Sequence, residues 1–255
     1  MELKKYALIT GASSGIGLAC ARRFASGGWN LVLTARRIEK LHEVSDHLHR
    51  QFGVNVQSFA LDVRQLDGVT ELADGLKQQG IFPELLINNA GLAVGLDPVH
   101  KAEIDDWERM IDTNIKGLLY VTRAISPMMV SRGSGHIINI GSIAGKEAYP
   151  NGNVYCATKH AVDGLTRAMR MDLYTYGIRV TQVAPGAVQT EFSDVRFKGD
   201  TQRAAKVYEN FTPLSADDVA DVVWYCANVP PHVSIHDVVV MPAAQASATM
   251  IHRQA

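Results

Sequence analysis

Tyr155 and Lys159 stand four residues apart, thirteen residues after Ser142. On a helix that spacing puts the phenol and the ammonium on one face. A phenol ordinarily titrates near pH 10, too high for proton transfer at neutrality. An ammonium about 4 Å away, at an effective dielectric near 20, favours phenolate by about 4 kcal/mol, nearly three pKa units, and burial works against it. Half of that shift brings the phenol towards the range of a general acid or base. Cys156 is a second candidate nucleophile, but on a helix it points about 100° away from Tyr155. A small buried hydrophobe is its other reading. The spacing also occurs on plain half-exposed helices, so its meaning depends on what positions it.

The elements that do so alternate. Residues 5–10 read as a strand, followed by a turn containing Gly11, Ser13, Ser14, Gly15, Ile16 and Gly17, and then a helix over 18–24. An apolar strand at 30–34 closes a βαβ unit. The glycines follow G-x-x-x-G-x-G rather than G-x-G-x-x-G. Residues without Cβ still permit the tight turn, and amides at a helix start suit a pyrophosphate. The second strand ends in Arg36 and Arg37, where an NAD site usually carries a carboxylate. Two guanidiniums suit a 2′-phosphate, so NADP(H) is expected over NAD(H). The alternative is that one arginine only solvates the helix at 38–50.

Further along, a strand at 54–61 ends at Asp62 and Val63, and a helix is expected over 65–79. The buried run 85–91 ends in Asn89, Ala90 and Gly91, the expected lip of a ligand crevice. One long helix over 103–132 has Asn114 at its centre, where a poor helix former either distorts the helix or holds a water. The strand at 137–140 delivers Ser142, and the strand at 179–184 ends in a turn with Pro185, Gly186, Val188 and Thr190. Residues 190–212 show little periodicity and mix charges with aromatics, as segments that cover sites often do. A helix at 216–228 and a short strand at 238–241 complete the pattern. The whole reads as an α/β fold: one doubly wound, Rossmann-type domain over 1–255, with a parallel sheet of about seven strands and helices on both faces.

Composition bounds the function. The 255 residues are 47% hydrophobic and 20% charged, with a net charge of −1, which argues against a general nucleic-acid binder. No run approaches the ~20 apolar residues of a membrane span. Residues 1–6 run straight into a strand, leaving no room for a secretory signal. Cys20, Cys156 and Cys226 lack metal-ligand spacing, and His42, His47 and His49 do not converge, so no metal is expected. A reduced cytoplasmic protein fits best.

Taken together these motifs resemble the short-chain dehydrogenase/reductase family over essentially the whole chain. Residues 10–17 are similar to its cofactor turn, Asn88 to Gly91 to its sheet-stabilising motif, and Asn114, Ser142, Tyr155 and Lys159 to its catalytic tetrad. Residues 89–93, 136–142, 152–155 and 191–200 resemble the NADP-dependent 3-hydroxy acid dehydrogenases within it. The resemblance implies NADP(H) as cofactor and substrates such as serine, allo-threonine or 3-hydroxypropionate. It also implies a cytoplasmic homotetramer. Tyr155 would exchange the hydroxyl proton, Lys159 would lower its pKa and bind the nicotinamide ribose, Ser142 would steady the substrate oxygen, and Asn114 would hold a relay water. Asp62 and Val63 would flank adenine, and Asn89, Ala90 and Gly91 the adjoining ribose. For the substrate carboxylate the charged candidates are Arg196 and Lys198. The rival readings are a reductase of bulkier ketones, aldehydes or dicarbonyls, and a non-catalytic NADP sensor.

Overall fold

The chain is described by a computed structural model over residues 5–254; the readings that touch residues 1–4 and Ala255 lie outside it. Among the described residues seven strands form one parallel sheet: β1 (Tyr6–Thr10), β2 (Asn30–Ala35), β3 (Val56–Ala60), β4 (Leu85–Asn88), β5 (Gly135–Ile140), β6 (Ile178–Pro185) and β7 (Asp237–Val240). Their order is β3-β2-β1-β4-β5-β6-β7. The chain winds outward from β1 to β3, then crosses back to place β4 on the other side of β1. That reversal leaves a crevice above the carboxyl ends of β1 and β4.

Strand periodicity sorts the core into two layers. Ala7, Ile9, Leu31, Leu33, Leu85 and Ile87 pack beneath α1 (Gly15–Ser26), α2 (Ile38–Phe52) and a late helix at Ala216–Ala227. Leu8, Val32, Leu86, Ile137 and Val180 face α3 (Leu66–Gln78) and two central helices described next. Every residue of β2 and β4 is buried, and Leu31–Leu33 and Leu85–Ile87 read as apolar runs within them. Each fully buried Leu or Ile contributes about 1.5–3 kcal/mol.

The expected single helix over 103–132 is three pieces. α4 (Ile104–Ile111) passes into a π-helical turn at Asp112–Gly117 and continues as α5 (Leu118–Arg132). Asn114 lies in the π turn, so of the two outcomes foreseen for it, distortion is the one observed. Residues 190–212, read as lacking periodicity, carry two short helices. After α6 (Asn153–Leu173) come α7 (Phe192–Arg196) and α8 (Thr201–Lys206), and the late helix is α9 (Ala216–Ala227). Ser215 and Asp218 start α9 with a reciprocal capping box.

A buried polar ladder crosses the sheet floor. Asn88 Nδ2 donates to Thr122 Oγ1 and to Asn139 Oδ1, both at 2.9 Å, and Asn139 Nδ2 donates to Thr166 Oγ1 at 2.9 Å. It fixes β4 and β5 against α5 and α6. Nearby, His136 Nε2 meets Thr181 Oγ1 at 2.8 Å, and that hydroxyl donates to the Ile235 carbonyl. The network therefore assigns the ring proton to Nε2. Burial pushes His136 down from 6.5 to about 3.

The unfolded chain takes up a proton on His136 as pH falls below 6.5, whereas the folded chain does not until about pH 3. Its contribution to stability is thus complete above pH 6.5 and is lost as pH falls through that window. His136→Phe leaves the Thr181–Ile235 bond in place. In urea titrations it should lose less stability than the parent between pH 6.5 and pH 4.

Candidate active site

β1, the glycine-rich turn and α1 form the first wall of the crevice. Gly15 has φ +54°, a left-handed conformation that other residues adopt at a cost. A Cβ on Gly17 would come within 2.5 Å of Asn89 Nδ2. That amide donates to the carbonyls of Thr10 at 2.8 Å and Gly11 at 3.2 Å, binding the turn to the end of β4. Thr10 Oγ1 accepts the N–H groups of Asn89 and Ala90, each at 3.0 Å. No side chain caps α1, so its first-turn amides stay available to an anion.

At the end of β2 both arginines are exposed and line the crevice. Arg37 Nη2 reaches Ser14 Oγ at 2.8 Å, Ser13 Oγ at 3.3 Å and Glu191 at 3.0 Å. The carboxylate of Asp62 is gripped by Arg64 at 2.6 Å, and that hydrogen bond holds its pKa below the usual value. Val63 is buried against Gly117, whose missing side chain admits it.

The opposite wall carries the tetrad. Tyr155 and Lys159 lie on α6 and are 8% and 7% exposed; Ser142 follows β5 and is similarly buried. Ser142 Oγ accepts the Ala144 N–H at 3.1 Å, which leaves its own proton free to donate. Lys159 Nζ donates to the Ile140 carbonyl at 2.9 Å and lies 6.0 Å from the Tyr155 ring centre. Burial lowers Lys159 from 10.5 to about 8. Burial also raises Tyr155, against the lowering effect of the Arg196 guanidinium and a hydrogen bond from Ser142. Arg196 therefore acts on the phenol as a second cation, beside the Lys159 to which the sequence pointed. The reason is geometric: Lys159 turns its ammonium towards Ile140, and Arg196 lies with Cζ 4.9 Å above the ring.

Asn114 lies behind this wall and is held by protein bonds. Its Oδ1 accepts the Leu92 N–H at 2.9 Å, and its Nδ2 donates to the Leu92 carbonyl at 2.8 Å and Thr158 Oγ1 at 3.0 Å. Both amide N–H groups are used in protein bonds, and Oδ1 keeps one lone pair beyond its bond to Leu92.

These residues surround a cleft of about 540 Å³. Gly11, Ser13, Ser14, Gly15, Ile16, Arg36, Arg37, Asp62, Val63, Asn89, Ala90, Gly91, Ser142, Tyr155, Lys159, Pro185, Gly186, Val188, Thr190 and Arg196 all line it. Gly17 and Asn114 support it from behind. Its volume, its glycine cradle and its exposed guanidiniums fit a phosphorylated dinucleotide.

A model of the short chain dehydrogenases matches residues 5–200. The chain belongs to the short-chain dehydrogenase family. The NADP-dependent 3-hydroxy acid dehydrogenase YdfG of Salmonella typhi is 48% identical over 248 residues, covering 96% of this chain and 98% of that protein. Sulfoacetaldehyde reductase 2 of Chromohalobacter salexigens is 45% identical over 240 residues, covering 94% of each. The closed form of serine dehydrogenase complexed with NADP+ superposes with a TM-score of 0.92 at 46% identity, covering 98% of this chain and all of that one.

In this short-chain dehydrogenase the covering segment supplies side chains that sequence reading missed. Phe192 lies 5.7 Å from the Tyr155 ring, and Tyr208 donates to the Val188 carbonyl at 2.8 Å. Tyr149, in the loop before α6, accepts from Arg196 Nη2 at 2.6 Å. Gln245 closes the wall by accepting the Ala187 N–H at 2.8 Å. An aromatic two or three residues from a catalytic or turn residue was the available signal for Phe192. Tyr149 and Gln245 carried none. Lys198, the other candidate for a substrate carboxylate, is instead tied to the buried Asp106 at 2.8 Å. Cys156 is buried among apolar neighbours, as its bland reading held.

Tyr155→Phe removes only the hydroxyl. Turnover should fall by at least about 1,000-fold, an upper-range loss for a proton-transfer group, while NADPH fluorescence titration still reports binding. Retained activity would take the phenol out of the chemistry.

Proposed function

We propose that the protein is an NADP-dependent oxidoreductase acting on the 3-hydroxyl, or 3-oxo, carbon of a small acid such as serine, allo-threonine or 3-hydroxypropionate. The observation that carries this reading is Arg196. Its guanidinium lies 4.9, 5.4 and 5.8 Å from the ring centres of Tyr155, Phe192 and Tyr149. It has no carboxylate partner among the described residues, and its Nε is buried without a hydrogen bond. A cation left unmatched against the reacting phenol suits a substrate that brings its own negative charge.

The cofactor, when bound, supplies the hydride acceptor or donor. Gly11, Ser13, Ser14, Gly15, Ile16 and Gly17 would hold its diphosphate and Arg36 and Arg37 its 2′-phosphate. Asp62, Val63, Asn89, Ala90 and Gly91 would lie along the adenosine, and Pro185, Gly186, Val188 and Thr190 beside the nicotinamide. Tyr155 exchanges a proton with the substrate oxygen, as base in oxidation and acid in reduction. Ser142, which hydrogen-bonds Tyr155, would turn its proton to the substrate oxygen as charge develops on it. Lys159 spends one of its three N–H donors on Ile140 and keeps two for ribose hydroxyls. Arg196 positions the acid group.

A second reading is reduction of a short aldehyde bearing a sulfonate, favoured by the likeness to a sulfoacetaldehyde reductase; the same guanidinium would serve. We treat the chain as one domain covered by residues 190–212, and the protein as a cytoplasmic homotetramer. In that compartment the three buried, unpaired thiols would stay reduced. Exposed Met171 and Tyr174, each 69% accessible, supply apolar surface for subunit contacts.

Absorbance at 340 nm tests the reading directly, with NADP or NAD against L-serine, D-serine, L-allo-threonine, 3-hydroxypropionate and simple alcohols, and with NADPH against sulfoacetaldehyde. Reduction of NADP by hydroxy acids is the expected result; activity confined to uncharged alcohols defeats the acid assignment. Arg196→Ala should raise KM for 3-hydroxypropionate at least about 10-fold, the loss of one charge-assisted bond. The same substitution should change KM for an uncharged alcohol about two-fold or less.

A further inference from the structure

Glu191 follows Thr190 and immediately precedes α7. Its carboxylate is held from across the crevice by Arg37 Nη2 at 3.0 Å and Lys40 Nζ at 2.8 Å. The first of these bonds joins residues 154 positions apart, so it ties the adenosine-side wall to the covering segment. The two cations hold Glu191 down at about 2, which keeps it charged at any working pH.

What Glu191 begins matters as much as what it binds. α7 spans five residues, about 7.5 Å at 1.5 Å per residue. Its first residue is Phe192 and its last is Arg196, both against the Tyr155 ring. The arginine assigned to the 2′-phosphate and the arginine assigned to the substrate are therefore joined by one ionic bridge and one short helix.

The bridge leaves room for the phosphate. It uses only Nη2 of Arg37, so the other N–H groups of that guanidinium, and all of Arg36, are left for a ligand. Arg36, Arg37 and Lys40 carry three positive charges against the single negative charge of Glu191. The two left over match the charge of about −1.5 to −2 on a phosphate monoester.

We propose that Glu191 is a positioning residue that couples occupation of the 2′-phosphate site to the placement of Arg196 over Tyr155. The proposal rests on the reading of the cofactor as NADP(H) and of Arg196 as the substrate's partner. Because the bridge is half exposed, with Arg37 at 51% and Glu191 at 47%, Glu191→Gln removes charge from the surface without disturbing the sheet.

The test uses 2′,5′-ADP, which carries the 2′-phosphate and no nicotinamide, with 5′-ADP as control. Backbone hydrogen exchange of residues 191–197 is followed by mass spectrometry in the full chain. With 2′,5′-ADP the parent should show about five-fold slower exchange in this segment, and with 5′-ADP less than about two-fold. Glu191→Gln should bind 2′,5′-ADP with a Kd within about three-fold of the parent and show no slowing. With NADP present, the variant's KM for 3-hydroxypropionate should rise about five-fold while kcat stays within about two-fold. Slowing in the variant equal to the parent's, or an unchanged KM, overturns the coupling and leaves the cofactor reading intact. Failure of the parent to bind 2′,5′-ADP overturns both.

Discussion

The side chain of Asn114, at 2% exposure, has both ends committed: to the N–H and carbonyl of Leu92 and to the hydroxyl of Thr158. Three separate elements meet at that amide: the lip beyond β4, the π turn, and the helix that carries Tyr155 and Lys159. Thr158 in turn donates to the Tyr155 carbonyl at 2.8 Å. An unsatisfied buried polar group costs about 1–3 kcal/mol, so a shift of α6 relative to the lip must give up either the bond to Thr158 or the pair to Leu92. The π turn follows from the same constraint. An ordinary α-helix would aim residue 114 differently, and in the wider turn its amide makes three buried bonds.

From this point outward the site is assembled by close approach. Gly91 sits where an added Cβ would lie 3.3 Å from Asn114 Oδ1 and 3.7 Å from Lys159 Nζ. The ammonium is thereby set under the lip without touching it. Asn89 ties the same lip to the glycine-rich turn on the other side. The strands deliver these residues, and a few polar side chains fix their separation.

Much of this was legible in the sequence because it is local or periodic. Parallel strands buried on both faces show as apolar runs, and the turn glycines and the Tyr155–Lys159 spacing lie within single elements. The unread parts have physical reasons. A π turn inserts one residue into a helix whose apolar pattern otherwise continues, so 103–132 reads as unbroken. α7 and α8, at five and six residues, are too short to show a 3.6-residue period. Pairs such as Arg37–Glu191 and Arg196–Tyr149 join positions 154 and 47 apart, and nothing in either local stretch marks its partner. Lys198 looked equivalent to Arg196 by type, and only the fold shows that Asp106 already holds it.

The electrostatics of Tyr155 show why two cations converge on one phenol. Burial favours the neutral form, and Lys159 is itself pulled down to about 8 by burial, so part of its charge is lost near neutrality. Counted from the ring centre, 6.0 Å away, and at a dielectric near 20, a full ammonium charge is worth about 3 kcal/mol, less than the contact value near 4 kcal/mol. A second, permanently charged group makes up the difference, and arginine is the side chain that burial does not neutralise. Its Cζ lies 4.9 Å from the Tyr155 ring centre while its Nη2 bonds Tyr149, which leaves the Tyr155 oxygen to Ser142. Placing this charge on a covering segment rather than on the sheet has a consequence. The lowering effect on Tyr155 comes from residue 196 of α7, so the environment of this phenol depends on where residues 191–196 sit.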